Sequence, residues 1–542
     1  MTRSSKRQAG GRLATLKTVI RDVGALQILV GALMSLPLLV SLLYREWYSA
    51  LAFLVGGALA SLMGALAYGL CESAREPTKA DSMTIAAAGW LTTAVFGAVP
   101  FVVAAYATPH SVLAGFVPAG ADYSSSLLNF RDPLHALFES MSGYTTTGLT
   151  MSVHEPSVGH GFLWYRSQMQ WVGGAGMIVL SLAILRQPHG PAGRSLYQSE
   201  ARSTRLRPSI ASTAQAIWKI YLGLTLLVAV YLTGVLLVAN PGYGLENTVF
   251  DALNHAMTGQ STGGFSTLDD SIAGYGSYLI EMLHVPAMVT GAVAIPVYYA
   301  ASTKRSLRPI LEDPQVRLLA VSCLVGVAIL SLFLTGFVGL PYTGDLTSWL
   351  ADVLGGQAFR DGVFQYISAA TTTGWQTSAI GDWPPGAVLF IVIGAMLAGG
   401  SAGATVGGIK LSRIYVLFRG IAAEITDIFL PEHALESLRV GQIRLSEEEA
   451  NVEIRAAAVF TFLYLIVLAI SLFVLLWVLP PQYSLADAIF EVATAQGTVG
   501  LSAGITAPSM PTTVEVLFIV QMWMGRLEII PVLVFVRNLA RS

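Results

Sequence analysis

The chain has 542 residues, of which 54% are hydrophobic and only 12% charged. A soluble domain is roughly a quarter charged, because its surface must meet water, so a soluble enzyme is excluded. The formal net charge of −2 excludes nothing further, because the two signs are segregated along the chain.

Residues 1–21 carry Arg3, Lys6, Arg7, Arg12, Lys17 and Arg21, with no small-residue cleavage site after a short apolar core. They read as a retained cytoplasmic tail rather than a signal peptide. Ten apolar runs follow, at 25–44, 48–70, 85–107, 162–185, 216–239, 278–301, 318–340, 387–418, 456–479 and 514–536. Most have the length of about 20 residues that crosses a bilayer core as helix. With the N-terminus inside, all but five of the 31 Lys and Arg fall at cytoplasmic ends and loops, Arg186, Arg194, Arg202, Arg205 and Arg207 among them. Arg45, Arg131, Arg166 and Arg360 are external, and Arg526 sits within a span. This asymmetry places both termini in the cytoplasm.

The external connections carry Asp122, Asp269, Asp270, Asp345, Asp352 and Asp382. They either concentrate cations at an entrance or are scattered solvated carboxylates. The internal connection 419–455 holds Glu424, Asp427, Glu436, Glu447, Glu448, Glu449 and Glu453 and reads as an amphipathic or solvated cytoplasmic linker that could serve as a docking surface. Cys71 and Cys323 are too few for a disulfide framework or a four-ligand zinc site. The histidines show no metal-ligand spacing, and no nucleophile–base arrangement lies in the spans.

Four external connections contain a short, moderately apolar segment and then a run of small polar residues. They are ESMSGYTTTGLT from Glu139, HAMTGQSTGGFS from His255, QYISAATTTGWQ from Gln365 and EVATAQGTVGLS from Glu491. Without gaps, glycine recurs at Gly148, Gly264, Gly374 and Gly500, and threonine two residues earlier at Thr146, Thr262, Thr372 and Thr498. Six residues before the glycine stands a hydroxyl (Ser142, Thr258, Ser368, Thr494), and nine before it a polar residue. The unit is span, short helix, hairpin loop, span, repeated four times after two leading spans. The segment 133–143 would be about 16 Å long as a helix, half the hydrocarbon core, so it enters and leaves on one side.

Irregular backbone at that depth must line a water-filled cavity or be buried in protein. Four copies predict a pseudo-fourfold ring suited to conducting cations, with loop carbonyls replacing the hydration shell and helix C-termini turned toward the ion. The oxygens would come from Thr145, Thr146, Thr147 and Gly148; from Ser261, Thr262, Gly263 and Gly264; from Thr371, Thr372, Thr373 and Gly374; and from Gly497, Thr498, Val499 and Gly500.

The run 387–418 is interrupted by Gly399, Gly400, Ser401, Ala402, Gly403, Ala404, Thr405, Val406, Gly407 and Gly408. Five glycines cost a continuous helix about 1 kcal/mol each against alanine, so a broken helix with an internal loop is expected. That loop is either a movable constriction or a close small-residue packing surface. A nucleotide loop is rejected, because Ile409 stands where its lysine belongs. Arg526, deep in the last span, needs a partner. Carbonyls of the 399–408 loop, or polar groups of another repeat, suit it better than Glu528, and it serves either the gate or a structural ion pair.

These motifs resemble the Trk/Ktr/HKT superfamily of potassium transporters, within it the bacterial TrkH-type uptake subunits. TTTGLT, STGGFS and TTTGW resemble the first three filter loops, QWVGGAGMIVLSLAIL the inner helix of the first repeat, GGSAGATVGGIKLSRI the gating loop, and MGRLEIIPVLVF the last helix. The two leading spans match the Trk form. The resemblance implies an all-α membrane protein with two extra helices and four repeats around a pore. It implies a K⁺ filter at the four glycines and the residues before them, and a gate at Gly399–Gly408 opposed by Arg526. Gly148 stands where serine accompanies sodium permeation in the family. It further implies a homodimer, a nucleotide-binding RCK-type cytoplasmic regulator, an inner-membrane location, and K⁺ as the transported ion, with no covalent cofactor and no nucleic acid. Two departures are GTVGLS in the fourth loop and ATVGG in the gating loop. The units would be 1–22 (basic tail), 23–82 (extra helices), 83–212, 213–315, 316–453 and 454–542.

Three functions compete: a channel-like potassium uptake subunit, a Na⁺- or H⁺-coupled symporter, and a membrane anchor for a regulatory ring. A symporter calls for a second cation site or a titratable intramembrane acid, and Glu139 and Glu491 are read as structural. An anchor has no use for Thr-x-Gly in every quadrant.

Overall fold

A computed structural model describes residues 3–185, 210–335, 356–429, 439–440, 443–444 and 447–540. Arg186, Arg194, Arg202, Arg205, Arg207, Asp345, Asp352 and Glu436 lie outside the described residues.

Helix Arg3–Leu33 runs on past Met34 into Ser35–Leu43, so the basic tail is helical and continuous with the first span. Trp47–Leu70 packs back against it through glycines. A β-carbon on Gly24 would stand 2.7 Å from the Gly64 carbonyl oxygen, which is the close backbone approach that small residues permit in membranes. Between these helices, Glu46 accepts hydrogen bonds from the backbone N–H of His160 (2.6 Å) and Gly161 (2.9 Å). Its carboxylate thereby satisfies the N-terminus of helix His160–Leu185 and complements its dipole. The leading pair is thus tied to the first repeat.

Four pseudo-symmetric repeats follow. The first is Lys79–Ala107, the short helix Pro133–Tyr144, then His160–Leu185. The second is Ile210–Ala239, Leu245–Gln260, then Tyr278–Ala292 with Ile295–Lys304. The third is Pro314–Leu334, Gln357–Ala370, Pro385–Ile391 with a π-turn over Val392–Met396, then Leu411–Asp427. The fourth is Glu447–Val478, Leu485–Gly497, then Thr512–Arg526 with Ile530–Ala540.

Among the described residues, six helices are long and apolar enough to span, or eight if each bent pair counts once. Two expected spans are not straight. The run 278–301 bends by 93° and the run 514–536 by 114°. At the first break, Val293 and Ala294 are extended and Pro296 starts the next helix without an N–H to give. At the second, Glu528 and Ile529 take φ of 58° and 63°, just before Pro531. Hydropathy cannot register such breaks, because both halves remain apolar.

Among the described residues, strand structure is confined to two-residue pairs. Ala398–Gly399 pairs in parallel with Ile409–Lys410, closing the neck of the 399–408 loop, and Arg439–Val440 pairs with Ile443–Arg444. The apolar core is distributed between neighbouring repeats. One cluster joins the first and fourth repeats around Phe138, Phe162, Phe518 and Trp523, and another joins the second and third around Phe364 and Trp375. Trp523 donates its indole N–H to the Ala87 carbonyl (3.0 Å), closing the fourth repeat onto the first.

Candidate ion pathway

The first and fourth short helices are capped locally, whereas the second and third start at Gly244 and Gly356 without a side-chain cap. Asp132 accepts from the Leu134 N–H (2.8 Å) before Pro133, and Ser484 forms a capping box with Asp487. The helices end at Tyr144, Gln260, Ala370 and Gly497, against the loops singled out in the sequence. Their partially negative C-terminal ends meet there.

The loops are conformationally identical. Thr146, Thr262, Thr372 and Thr498 adopt φ of 54°, 51°, 52° and 48°, and Gly148, Gly264, Gly374 and Gly500 adopt 94°, 83°, 84° and 94°. A left-handed threonine costs about 1–3 kcal/mol, so four of them persist only because the surroundings dictate the shape. Much of that dictation is visible. The N–H of Thr147, Gly263, Thr373 and Val499 each reaches back five residues, to the carbonyls of Ser142, Thr258, Ser368 and Thr494 (2.8–3.0 Å). The hydroxyls of Ser142 and Thr494 accept from Gly148 and Gly500 (3.0 Å each), and Ser368 donates to the Trp375 carbonyl (2.7 Å). The hydroxyl column therefore fastens the first, third and fourth loops to their helices, whereas the Thr258 hydroxyl stays within its own helix, on the His255 carbonyl (3.5 Å).

The loops close a ring in chain order. A β-carbon on Gly148 would collide with the Gly263 carbonyl oxygen, on Gly264 with that of Thr373, on Gly374 with that of Val499, and on Gly500 with that of Thr147. Each glycine therefore faces a carbonyl of the following repeat, and the fourth faces the first.

The polar column nine residues earlier braces the outgoing strand of each loop. Glu139 accepts from the Met151 N–H (2.8 Å) and Thr150, and Glu491 from the N–H of Ala503 and Thr506 (2.9 Å each) and from Ser502. Gln365 meets Thr377 (3.1 Å), and His255 meets Ser266 (3.1 Å). Arg166, only 1% exposed, donates to Glu139 at 2.7 Å and lies over the Phe265 ring at 4.2 Å. It is a buried buttress behind the first two loops rather than an external surface charge. Sequence reasoning passed over Gln170, whose signal was its place four positions after Arg166, one turn along the same face of an apolar helix.

Below the ring sits the 399–408 loop. Thr405 shares a hydroxyl hydrogen bond with Thr262 (3.1 Å), and the Gly407 N–H donates to the Thr372 hydroxyl (3.3 Å). A β-carbon on Gly407 would collide with the Thr498 hydroxyl. The loop apex thus touches three of the four left-handed threonines from beneath. The Thr146 and Thr498 hydroxyls are buried without a hydrogen-bond partner. The loop is anchored at its sides: Ser401 N–H to the Ala292 carbonyl (3.3 Å), Ile295 N–H to the Gly403 carbonyl (3.3 Å), and Ala402 N–H to Gln315 (2.8 Å). Arg526, 3% exposed, donates to the carbonyls of Thr405 and Gly173, the latter at 2.9 Å. Glu528 instead pairs with Arg413 at 2.6 Å.

Above the ring, an open cavity is lined by Gly148, Gly264, Gly374 and Gly500, and Glu155 is its one charged lining residue among those described. Burial pushes the Glu155 carboxyl from 4.5 up to about 8, against the lowering pull of Arg166 at 3.5 Å. Burial prevails because Arg166 already serves Glu139 at closer range.

Four matched re-entrant units, ringed by carbonyls within a bundle of apolar helices, define a multi-pass membrane transport protein for cations. The sequence profile of the TrkH family, described as cation transport protein, matches residues 53–542, and the chain belongs to that family. It is 30% identical over 538 residues to the Trk system potassium uptake protein TrkH of Halomonas elongata, covering 96% of this chain and 98% of that one. The protein of the same name from Escherichia coli K12 is 29% identical over 532 residues, with coverage of 96% and 98%. The crystal structure of the potassium transporter TrkH from Vibrio parahaemolyticus superposes with a TM-score of 0.73 at 26% identity, covering 96% of this chain and 98% of that one.

Proposed function

We propose that this protein takes up potassium across the inner membrane through a selective, channel-like pore, both termini being cytoplasmic. The observation that carries the reading is the ring itself: four loops of one conformation, each glycine set against the next repeat's carbonyl. Thr145–Gly148, Ser261–Gly264, Thr371–Gly374 and Gly497–Gly500 form the filter. Their carbonyls, with the unpartnered Thr146 and Thr498 hydroxyls, suit a dehydrated monovalent cation. The relatives' description as potassium uptake proteins supports K⁺ as the ion. At an inside-negative potential each 100 mV supplies about 2.3 kcal/mol per cation, so uptake needs no coupling ion.

The loop Gly399–Gly408 is the gate, and Arg526 is the cation that holds it under the filter. Opening is set by a cytoplasmic RCK-type nucleotide-binding regulator acting on a homodimer. The protein itself carries no resident cofactor. Expression in a bacterium lacking its own K⁺ uptake systems tests the reading. Growth at limiting K⁺ is expected with the wild-type chain and not with Gly264→Ala. Equal growth with both contradicts the filter assignment.

A further inference from the structure

The four loops share a backbone, but they are not held alike. In the first and third, the hydroxyls of Thr147 and Thr373 pair within the loop with Thr145 and Thr371, at 2.8 Å each. In the fourth, Val499 is buried among apolar neighbours. The second has Gly263 at that position, so no side chain there can fasten the loop. The space is filled from the neighbouring repeat instead, because a β-carbon on Gly263 would collide with the side-chain amide of Gln170.

That amide is fully buried and uses both ends. Its Nε2 donates to the Gly263 carbonyl (2.6 Å), and its Oε1 accepts from the Phe265 N–H (3.0 Å). The two bonds bracket Gly264. One helical turn earlier, Arg166 donates to the Ser266 carbonyl (3.3 Å) and covers Phe265. The inner helix of the first repeat therefore grips the second loop at three successive points. Among the described residues, no side chain donates to the equivalent carbonyls of Thr147, Thr373 or Val499.

A Gly-Gly peptide is the most freely rotating in a chain, so the Gly263 carbonyl has little intrinsic reason to keep its direction. On the reading that this ring is the ion filter, we infer that Gln170 is a positioning residue that sets cation selectivity by fixing the Gly263 carbonyl. It acts through that carbonyl and does not itself touch the ion. One lone pair of the oxygen goes to the amide, and the other remains for the ion.

The test is tracer uptake into proteoliposomes holding the full-length protein, with K⁺ and Na⁺ as competitors. Gln170→Met keeps the volume and removes both hydrogen bonds. Gln170→Glu keeps the acceptor for Phe265 and removes the donor to Gly263. With the donor to Gly263 lost in both, each is expected to lower the preference for K⁺ over Na⁺ by about fivefold to tenfold, with total cation flux retained; Gln170→Met, which also loses the bond to Phe265, is expected to lower it at least as much as Gln170→Glu. The pair Gln170→Ala with Gly263→Thr supplies the self-fastening hydroxyl of the first and third loops, and is expected to recover selectivity that Gln170→Ala alone loses. A packing residue would show lower yield and unchanged selectivity. Wild-type ratios in both single variants, beside a lost ratio in Gly264→Ala, overturn the role of Gln170 and leave the filter standing. Wild-type ratios in Gly264→Ala as well overturn the filter reading itself.

Discussion

The guanidinium of Arg526 is hydrogen-bonded to the carbonyl of Thr405, the residue at the apex of the loop beneath the glycine ring. Its second arm reaches Gly173, on the inner helix of the first repeat, so one charge ties the loop, the last helix and the first repeat together. A buried arginine without a carboxylate partner is costly, and carbonyl dipoles are what offset it here.

That contact predicts the effect of removing it. A hydrogen bond to a charged donor contributes about 1.5–3 kcal/mol, so on the proposed gate reading Arg526→Ala should favour release of the loop by tenfold or more and raise tracer flux. Lower protein yield with unchanged flux per molecule would mean that the arginine only locks the bundle.

Gly264→Ala places a methyl group on the Thr373 carbonyl, at φ of 83°. Left-handed backbone adds about 1–2 kcal/mol for a residue with a β-carbon, but the collision is the larger effect. Selectivity for K⁺ over Na⁺ should be lost in a protein that still inserts and purifies. Ion competition in tracer uptake, beside size-exclusion behaviour, checks both halves.

Glu139 and Glu491 occupy the same column, yet their amide variants should differ. Glu139→Gln leaves Arg166 buried without its closest counter-charge, a loss of about 3–5 kcal/mol. Glu491 accepts from Ser502, Ala503 and Thr506, all uncharged donors. Thermal unfolding in detergent should show the larger drop for Glu139→Gln. Equal drops would mean that the ion pair contributes nothing beyond its hydrogen bonds.

Glu155, lining the cavity above the ring, predicts a pH response. Its carboxyl stays protonated up to about pH 8, whereas in the unfolded chain it ionises near pH 4.5. The folded state therefore binds the extra proton between these values. The stability this contributes is complete below the lower one and is lost as pH rises through about 8. Function moves the other way, because the ionised group adds a negative charge above the ring. K⁺ uptake at low K⁺ should rise as the external pH passes about 8, and the rise should flatten in Glu155→Gln. An unchanged profile in the variant assigns the response to other groups.

The four repeats and their loops were legible because each column has its own physical cause. Glycine faces a neighbour's carbonyl, the hydroxyl six residues before ties loop to helix in three of the four repeats, and the polar residue nine before braces the outgoing segment. The interrupted helix at 387–418 was legible from its glycines. The left-handed threonines were not, since threonine in sequence suggests no positive φ and only the surrounding ring imposes it. Nor were the bends at Val293 and Glu528, because both arms of each helix are apolar. Gln170 stayed hidden because its partner lies in another repeat, 93 residues away, where only the fold brings them together.

The central claim is a passive, selective pathway through the ring. The most direct measurement is rubidium or potassium tracer uptake into proteoliposomes of the purified protein, with no Na⁺ present and no pH gradient. Uptake driven by the K⁺ gradient alone, and competed far better by K⁺ than by Na⁺, is the predicted result. Uptake that begins only when Na⁺ or a proton gradient is supplied would contradict it and establish coupled transport in its place.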